Sequence, residues 1–120
     1  MRGLPALLAL ALLAPLAAAA DEARGRKLFE QCAACHALEA GKTGLGPSLA
    51  GVFGRKAGAL EEFRYSGPLK RSGIGWTRET IDTLLEDPQK AVPGNRMPFS
   101  GMPDKAERAN LLDYLEAATK

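Results

Sequence analysis

Cys32-Ala33-Ala34-Cys35-His36 holds both cysteines and the single histidine of this 120-residue chain. Every cysteine and histidine ligand the protein owns therefore lies within five consecutive residues, and the reading of the fold starts there. Residues three apart on a helix share a face, so the two thiols are presented side by side and the imidazole follows directly. The stretch just before the motif starts with Asp21 and Glu22, favourable to a helix dipole. Gly25, Leu28, Phe29 and Cys32 then recur at spacings of three and four. A helix over Asp21–Cys32 with one buried face is expected to deliver the motif.

Three chemistries compete for such a cluster. A disulfide or thiol–disulfide exchange site expects a βαβ pattern, and no stretch of the chain reads as a strand. Structural zinc takes four ligands, whereas Cys32, Cys35 and His36 supply three and no other Cys or His follows. The third is haem: C-x-x-C-H is the attachment signature of c-type haem. Both thiols can reach the two vinyl groups along one porphyrin edge and form thioethers, and His36 then turns its imidazole under the iron. Covalently attached haem is the reading that accounts for all three residues.

Working outward, residues 1–20 read as a signal peptide: one base, Arg2, no acid, a Leu/Ala-rich run and small residues at Ala18 and Ala20. The run is broken by Pro5 and Pro15 and falls short of the roughly 20 residues of a membrane span. Cleavage would leave a single domain, 21–120. Without the leader the 46% apolar fraction falls, and alanine supplies much of the rest. So thin a core asks for a staple such as a bound group. The net charge of +2, lowered to +1 by the loss of Arg2, gives no reason to expect a nucleic-acid partner.

Downstream of the motif, Gly41 to Gly75 has repeated glycines, Pro47 and Pro68 and no sustained period, so it is expected to be mostly loop. Loops of that length in a compact domain usually wrap something. Thr77 is a natural N-cap for a helix carrying Ile81, Leu84 and Leu85, which should end near Asp87 because Pro88 cannot continue it. The stretch DPQKAVPGNRMPFSGMP, residues 87–103, carries four prolines, two glycines and both methionines beyond the leader, and reads as an ordered loop. A last helix opens with Asp104 and Glu107 in capping-box spacing and runs through Leu111, Leu112, Tyr114, Leu115 and Ala118.

With one histidine, a second imidazole ligand is impossible. The sixth iron position is left to methionine, lysine, an exogenous ligand or nothing, and Met97 and Met102 are the thioether candidates. A methionine is more often a core gap-filler, yet both lie in a Pro/Gly loop.

At this point the chain resembles class I cytochromes c over essentially all of Asp21–Lys120: Gly25 and Phe29 before CAACH, Gly46-Pro47 after it, Tyr65, Trp76 and then PGNRMPF. The resemblance implies an all-α fold of three to five helices with long loops wrapped around one haem c held by Cys32 and Cys35. It implies His36 and Met97 as iron ligands, with the Pro47 carbonyl accepting from the His36 ring. It also implies Tyr65, Trp76, Arg55 and Asn95 as residues whose donors hold a buried haem propionate. Gly25 and Phe29 match the crossing of the first and last helices, against Leu111 and Tyr114. One departure stands out: relatives often carry a tyrosine near the methionine sulfur, where this chain has Leu84.

The function implied is a periplasmic carrier of single electrons, monomeric and not an enzyme, docking transiently on donor and acceptor redox complexes. Lys27, Lys42, Lys90, Arg96 and Lys105 flank the exposed haem edge in relatives and would form a basic ring for acidic partners. If the methionine were labile, an open iron site would instead suit a haem-based sensor or a peroxidase-like protein.

Overall fold

The helix expected to deliver Cys32 forms, and it starts earlier than its acidic residues suggest. The computed structural model describes residues 2–7 and 14–120, and in it α1 spans Ala14–Ala33. Alanine is the strongest helix former, and the alanine-rich stretch from Ala14 continues the helix upstream of Asp21. The leader read over residues 1–20 lies partly outside the described residues. Residues 2–7 are exposed and without regular structure.

Four further helices follow: α2 (Gly67–Arg71), α3 (Arg78–Glu86), α4 (Pro88–Ala91) and α5 (Lys105–Ala118). Among the described residues there is no strand, only an isolated antiparallel bridge between Lys56 and Gly75. Thr77 caps α3 as expected, accepting from the Thr80 N–H at 3.2 Å while the Thr80 hydroxyl accepts from the Thr77 N–H at 2.8 Å. The two short helices sit in segments expected to be loop. Five and four residues leave no period to read, but each has a cap: the Ser66 hydroxyl accepts from Leu69 N–H, and the Asp87 carboxylate from Lys90 N–H. Pro88, which ends α3, is well placed in the first turn of α4 because no partner is needed for its missing N–H.

The core is where α1, α3 and α5 meet. Leu111 is fully buried and Leu112 and Leu115 nearly so, packed with Phe29, Val52, Trp76, Ile81, Leu85 and Met102. Gly25 lets α1 and α5 approach closely: a Cβ there would overlap the Asn110 carbonyl oxygen and lie 2.6 Å from Tyr114 Cβ. One turn on, the Phe29 and Tyr114 rings pack at 5.6 Å. The crossing is tied at its rim by an ion pair between Arg24 and Glu107. That pair explains why the expected capping box of α5 is half made. The Asp104 carboxylate accepts from Glu107 N–H at 3.0 Å, but the Glu107 side chain is turned to Arg24.

Arg108 is the buried charge of this core, 5% exposed. Its Nε donates to Asp82 on α3 at 2.8 Å, and its Nη1 to the carbonyls of Met102 and Pro103 at 3.0 and 2.8 Å. The adjacent Asp82 carboxylate strengthens the hold of Arg108 on its proton. A buried charge is tolerated only when paired and hydrogen-bonded, and here one side chain pins the exit of the 92–103 loop to two helices.

Candidate functional site

The C-terminal end of α1 presents the motif. Cys32 lies in its last turn, and the Cys32 carbonyl accepts from both Cys35 N–H (3.1 Å) and His36 N–H (2.9 Å), so the chain turns tightly between the two sulfurs. Both cysteines are partly buried and are not joined to each other in a disulfide. Burial, and then the neighbouring Cys35, pushes the Cys32 thiol up to about 11.

His36 is held from two sides. Its Nδ1 donates to the Pro47 carbonyl at 2.7 Å, which fixes the tautomer and leaves the Nε2 lone pair for a metal. The Gly46 backbone lies against the ring, where a Cβ would sit 2.6 Å from Cε1 and 2.9 Å from Nδ1. Gly46 N–H in turn donates to the Cys35 carbonyl at 2.9 Å. The 44–47 turn is therefore a backrest built against the imidazole.

The two methionines part company. Met102 is 8% exposed and belongs to the core, its N–H donating to the Leu85 carbonyl at 2.7 Å. Met97 is only partly buried, and its peptide is fixed on both sides: its N–H donates to Asn95 Oδ1 at 3.0 Å and its carbonyl accepts from Phe99 N–H at 2.8 Å. The thioether left available is that of Met97.

Arg55 and Trp76 are brought together by their backbones, Trp76 N–H donating to the Arg55 carbonyl at 2.8 Å and Gly54 N–H to the Trp76 carbonyl at 2.7 Å. The Arg55 guanidinium donates to the Ser48 and Ala50 carbonyls at 2.8 and 3.2 Å, which uses two of its five N–H donors. Trp76 is buried at 8% exposure. Tyr65 packs edge-on against Phe63 at 4.9 Å, and its hydroxyl oxygen accepts from Leu60 N–H at 3.3 Å, leaving the hydroxyl hydrogen free to donate. Arg96 reaches across to this loop and donates to the Arg64 carbonyl at 3.0 Å.

Asn95 requires a correction. The resemblance implies it as a propionate donor, but its Nδ2 donates to the Pro88 and Val92 carbonyls at 2.8 and 2.9 Å. Both amide hydrogens are thereby spent, and Asn95 organises the Met97 peptide instead.

These residues fit a covalently held haem. Two cysteines separated by one tight turn, an imidazole with its Nδ1 held by Pro47, and the hydroxyl hydrogen of Tyr65 are the donor set it requires. Half-buried Leu38, Leu49, Phe53, Leu69, Leu84 and Phe99 are packed on the core. Sequence reasoning did not single out Gln89 or Arg108. The buried position of Arg108 had a signal, since it precedes Leu111, Leu112 and Leu115 by three, four and seven residues on the apolar face of α5. Gln89, in an aperiodic segment, had none.

Comparison with known proteins agrees with this geometry. The family model for cytochrome c matches residues 22–119. The chain is 48% identical over 89 residues to cytochrome c2 iso-2 of Magnetospirillum fulvum, covering 74% of this chain and 93% of that one. It is 48% identical over 98 residues to cytochrome c2 of Rhodoblastus acidophilus, with 81% and 92% covered. In fold it is similar to cytochrome cH from Methylobacterium extorquens, with a TM-score of 0.75 at 41% identity, covering 81% of this chain and 98% of that one. Motif, helix arrangement and relatives converge: the chain belongs to the cytochrome c family and carries covalently bound haem c.

Proposed function

We propose that this protein is an exported, monomeric electron carrier of the periplasm, with His36 and Met97 as the two axial ligands of its iron. The observation that carries the reading is the contrast between Met102, buried in the core, and Met97, whose peptide is fixed while its thioether stays outside that core. Bound haem supplies a one-electron couple, which His/Met ligation places at a raised potential. The chain's own residues do the rest. Pro47 orients His36 and makes it a better donor, Gly46 backs the ring, and Arg55, Tyr65 and Trp76 present donors to a propionate. With His36 and Met97 both holding the iron there would be no seat for a substrate, and His36, the only histidine, would be committed. The protein is accordingly a carrier and not an enzyme.

Export rests on the leader over residues 1–20, and the family match begins at residue 22, just after the proposed cleavage. Among the described residues no helix is long and apolar enough to cross a membrane. Docking is assigned to the surface around the motif, where Ala33, Ala34 and Leu45 are exposed, Leu45 at 83%. Lys27, Lys42, Lys90, Arg96 and Lys105 are all exposed as well. Lys42 is paired with Glu39 at 2.9 Å in a largely solvated contact worth little.

Two measurements test the carrier. Potentiometric titration should give a single reversible one-electron wave. Electron exchange with an acidic redox protein should slow as salt screens the basic side chains. A rate indifferent to salt removes the basic ring, and the absence of a reversible one-electron wave removes the carrier.

A further inference from the structure

Gln89, on α4, has no role in the haem signature or in the core, yet its side-chain amide bridges the turn that leads into Met97. Its Nε2 donates to the Asn95 carbonyl at 2.9 Å, and its Oε1 accepts from Gly94 N–H at 3.1 Å. Both peptides of the Gly94–Asn95 turn are thus held by one side chain. Asn95 passes the constraint on: its N–H and Nδ2 bond back to the Val92 and Pro88 carbonyls, and its Oδ1 takes the Met97 N–H. The route from α4 to the Met97 peptide is continuous, and every group in it is neutral.

We propose that Gln89 is the positioning residue of the Met97 ligand, a strut that acts through Asn95 to keep the thioether in its ligating place. The proposal rests on the reading of Met97 as the distal ligand. Removing the strut leaves Gly94 and Asn95 tied only by local bonds, so the population with Met97 detached grows. An added ligand that competes with Met97 then binds more tightly, because apparent affinity scales with the competent population. The Gln89 side chain lies at the surface, so water partly replaces its bonds and the effect belongs at the low end for two hydrogen bonds.

The test is imidazole binding to the ferric holoprotein, followed spectroscopically, in wild type, Gln89→Ala and Thr83→Ala. Thr83 is exposed on α3. Gln89→Ala should bind imidazole about three- to tenfold more tightly, equivalent to roughly 0.7–1.4 kcal/mol, and Thr83→Ala within about twofold of wild type by the same scale. Gln89→Glu keeps an acceptor for Gly94 and loses the donor to the Asn95 carbonyl. It should shift in the same direction by less, and it reports on the proposal if Gln89→Ala does not accumulate. Unchanged imidazole affinity in both Gln89 variants overturns the proposal, even if their unfolding midpoints fall, because that pattern is purely structural. Met97→Ala separates the two ideas. If it leaves the sulfur-to-iron band intact, the distal-ligand reading fails and the strut with it; if it removes the band while the Gln89 variants bind imidazole as wild type does, only the strut fails.

Discussion

Replacing Gly46 by alanine puts a methyl group where the His36 ring already is. The added Cβ would lie 2.6 Å from Cε1, 2.9 Å from Nδ1 and 3.0 Å from Nε2, against 3.4–4 Å for ordinary contact. The ring cannot recede freely, because Nδ1 is hydrogen-bonded to Pro47 and both cysteines flank the same turn. Overpacking of this kind costs about 1–3 kcal/mol, and loss of the Nδ1–Pro47 bond adds about 1 kcal/mol. A total of about 2–4 kcal/mol in a domain of this size lowers the unfolding midpoint by roughly 10–25 °C. The displaced imidazole, no longer donating from Nδ1, becomes a poorer donor to the ferric iron, so the reduction potential should rise. The assay is thermal unfolding of the holoprotein by circular dichroism, with potentiometry alongside. Gly75→Ala is the control, because a Cβ there meets nothing within 4 Å. A Gly46→Ala protein that melts with wild type and keeps its potential would refute the role given to this turn.

Gly25→Ala should destabilise the protein by about 2–4 kcal/mol in denaturant unfolding, since its Cβ meets the Asn110 carbonyl and Tyr114 Cβ and must push α1 from α5; a loss below about 0.5 kcal/mol would contradict the close crossing. The Glu107 carboxyl is held below the usual range, chiefly by the hydrogen bond from Arg24. The stability it contributes is therefore present above the ordinary carboxylate range and lost as pH falls through the lowered value. Arg24→Ala should flatten that part of the acid limb in unfolding measured against pH. Purified holoprotein denatured without reductant should show no titratable thiols, because both sulfurs are in thioethers; two thiols in a colourless protein would return the exchange-site reading.

The residues that set the helices were legible from the sequence for local reasons. Thr77 caps α3 and Pro88 ends it, while the meeting of Gly25 and Phe29 with Tyr114 was implied by the family resemblance and not by local spacing. The motif was legible because its spacing is short and its chemistry has few alternatives. What was not legible depends on contacts between distant segments. Asn95 looks like a free donor in sequence, and only the folded turn shows its hydrogens committed to Pro88 and Val92. Glu107 has the spacing of a capping partner, but Arg24, far upstream, takes its carboxylate. Gln89 and Arg108 act through backbone carbonyls, and no side-chain pattern in a sequence marks the carbonyls a donor will reach.

The central claim is that His36 and Met97 ligate the iron. The most direct test is the far-red sulfur-to-iron band in the absorption spectrum of the oxidised holoprotein, compared among wild type, Met97→Ala and Met102→Ala. The account predicts a band in wild type that Met97→Ala abolishes and Met102→Ala retains. A haem-loaded wild type without the band, or a band that disappears with Met102 and not with Met97, would contradict it.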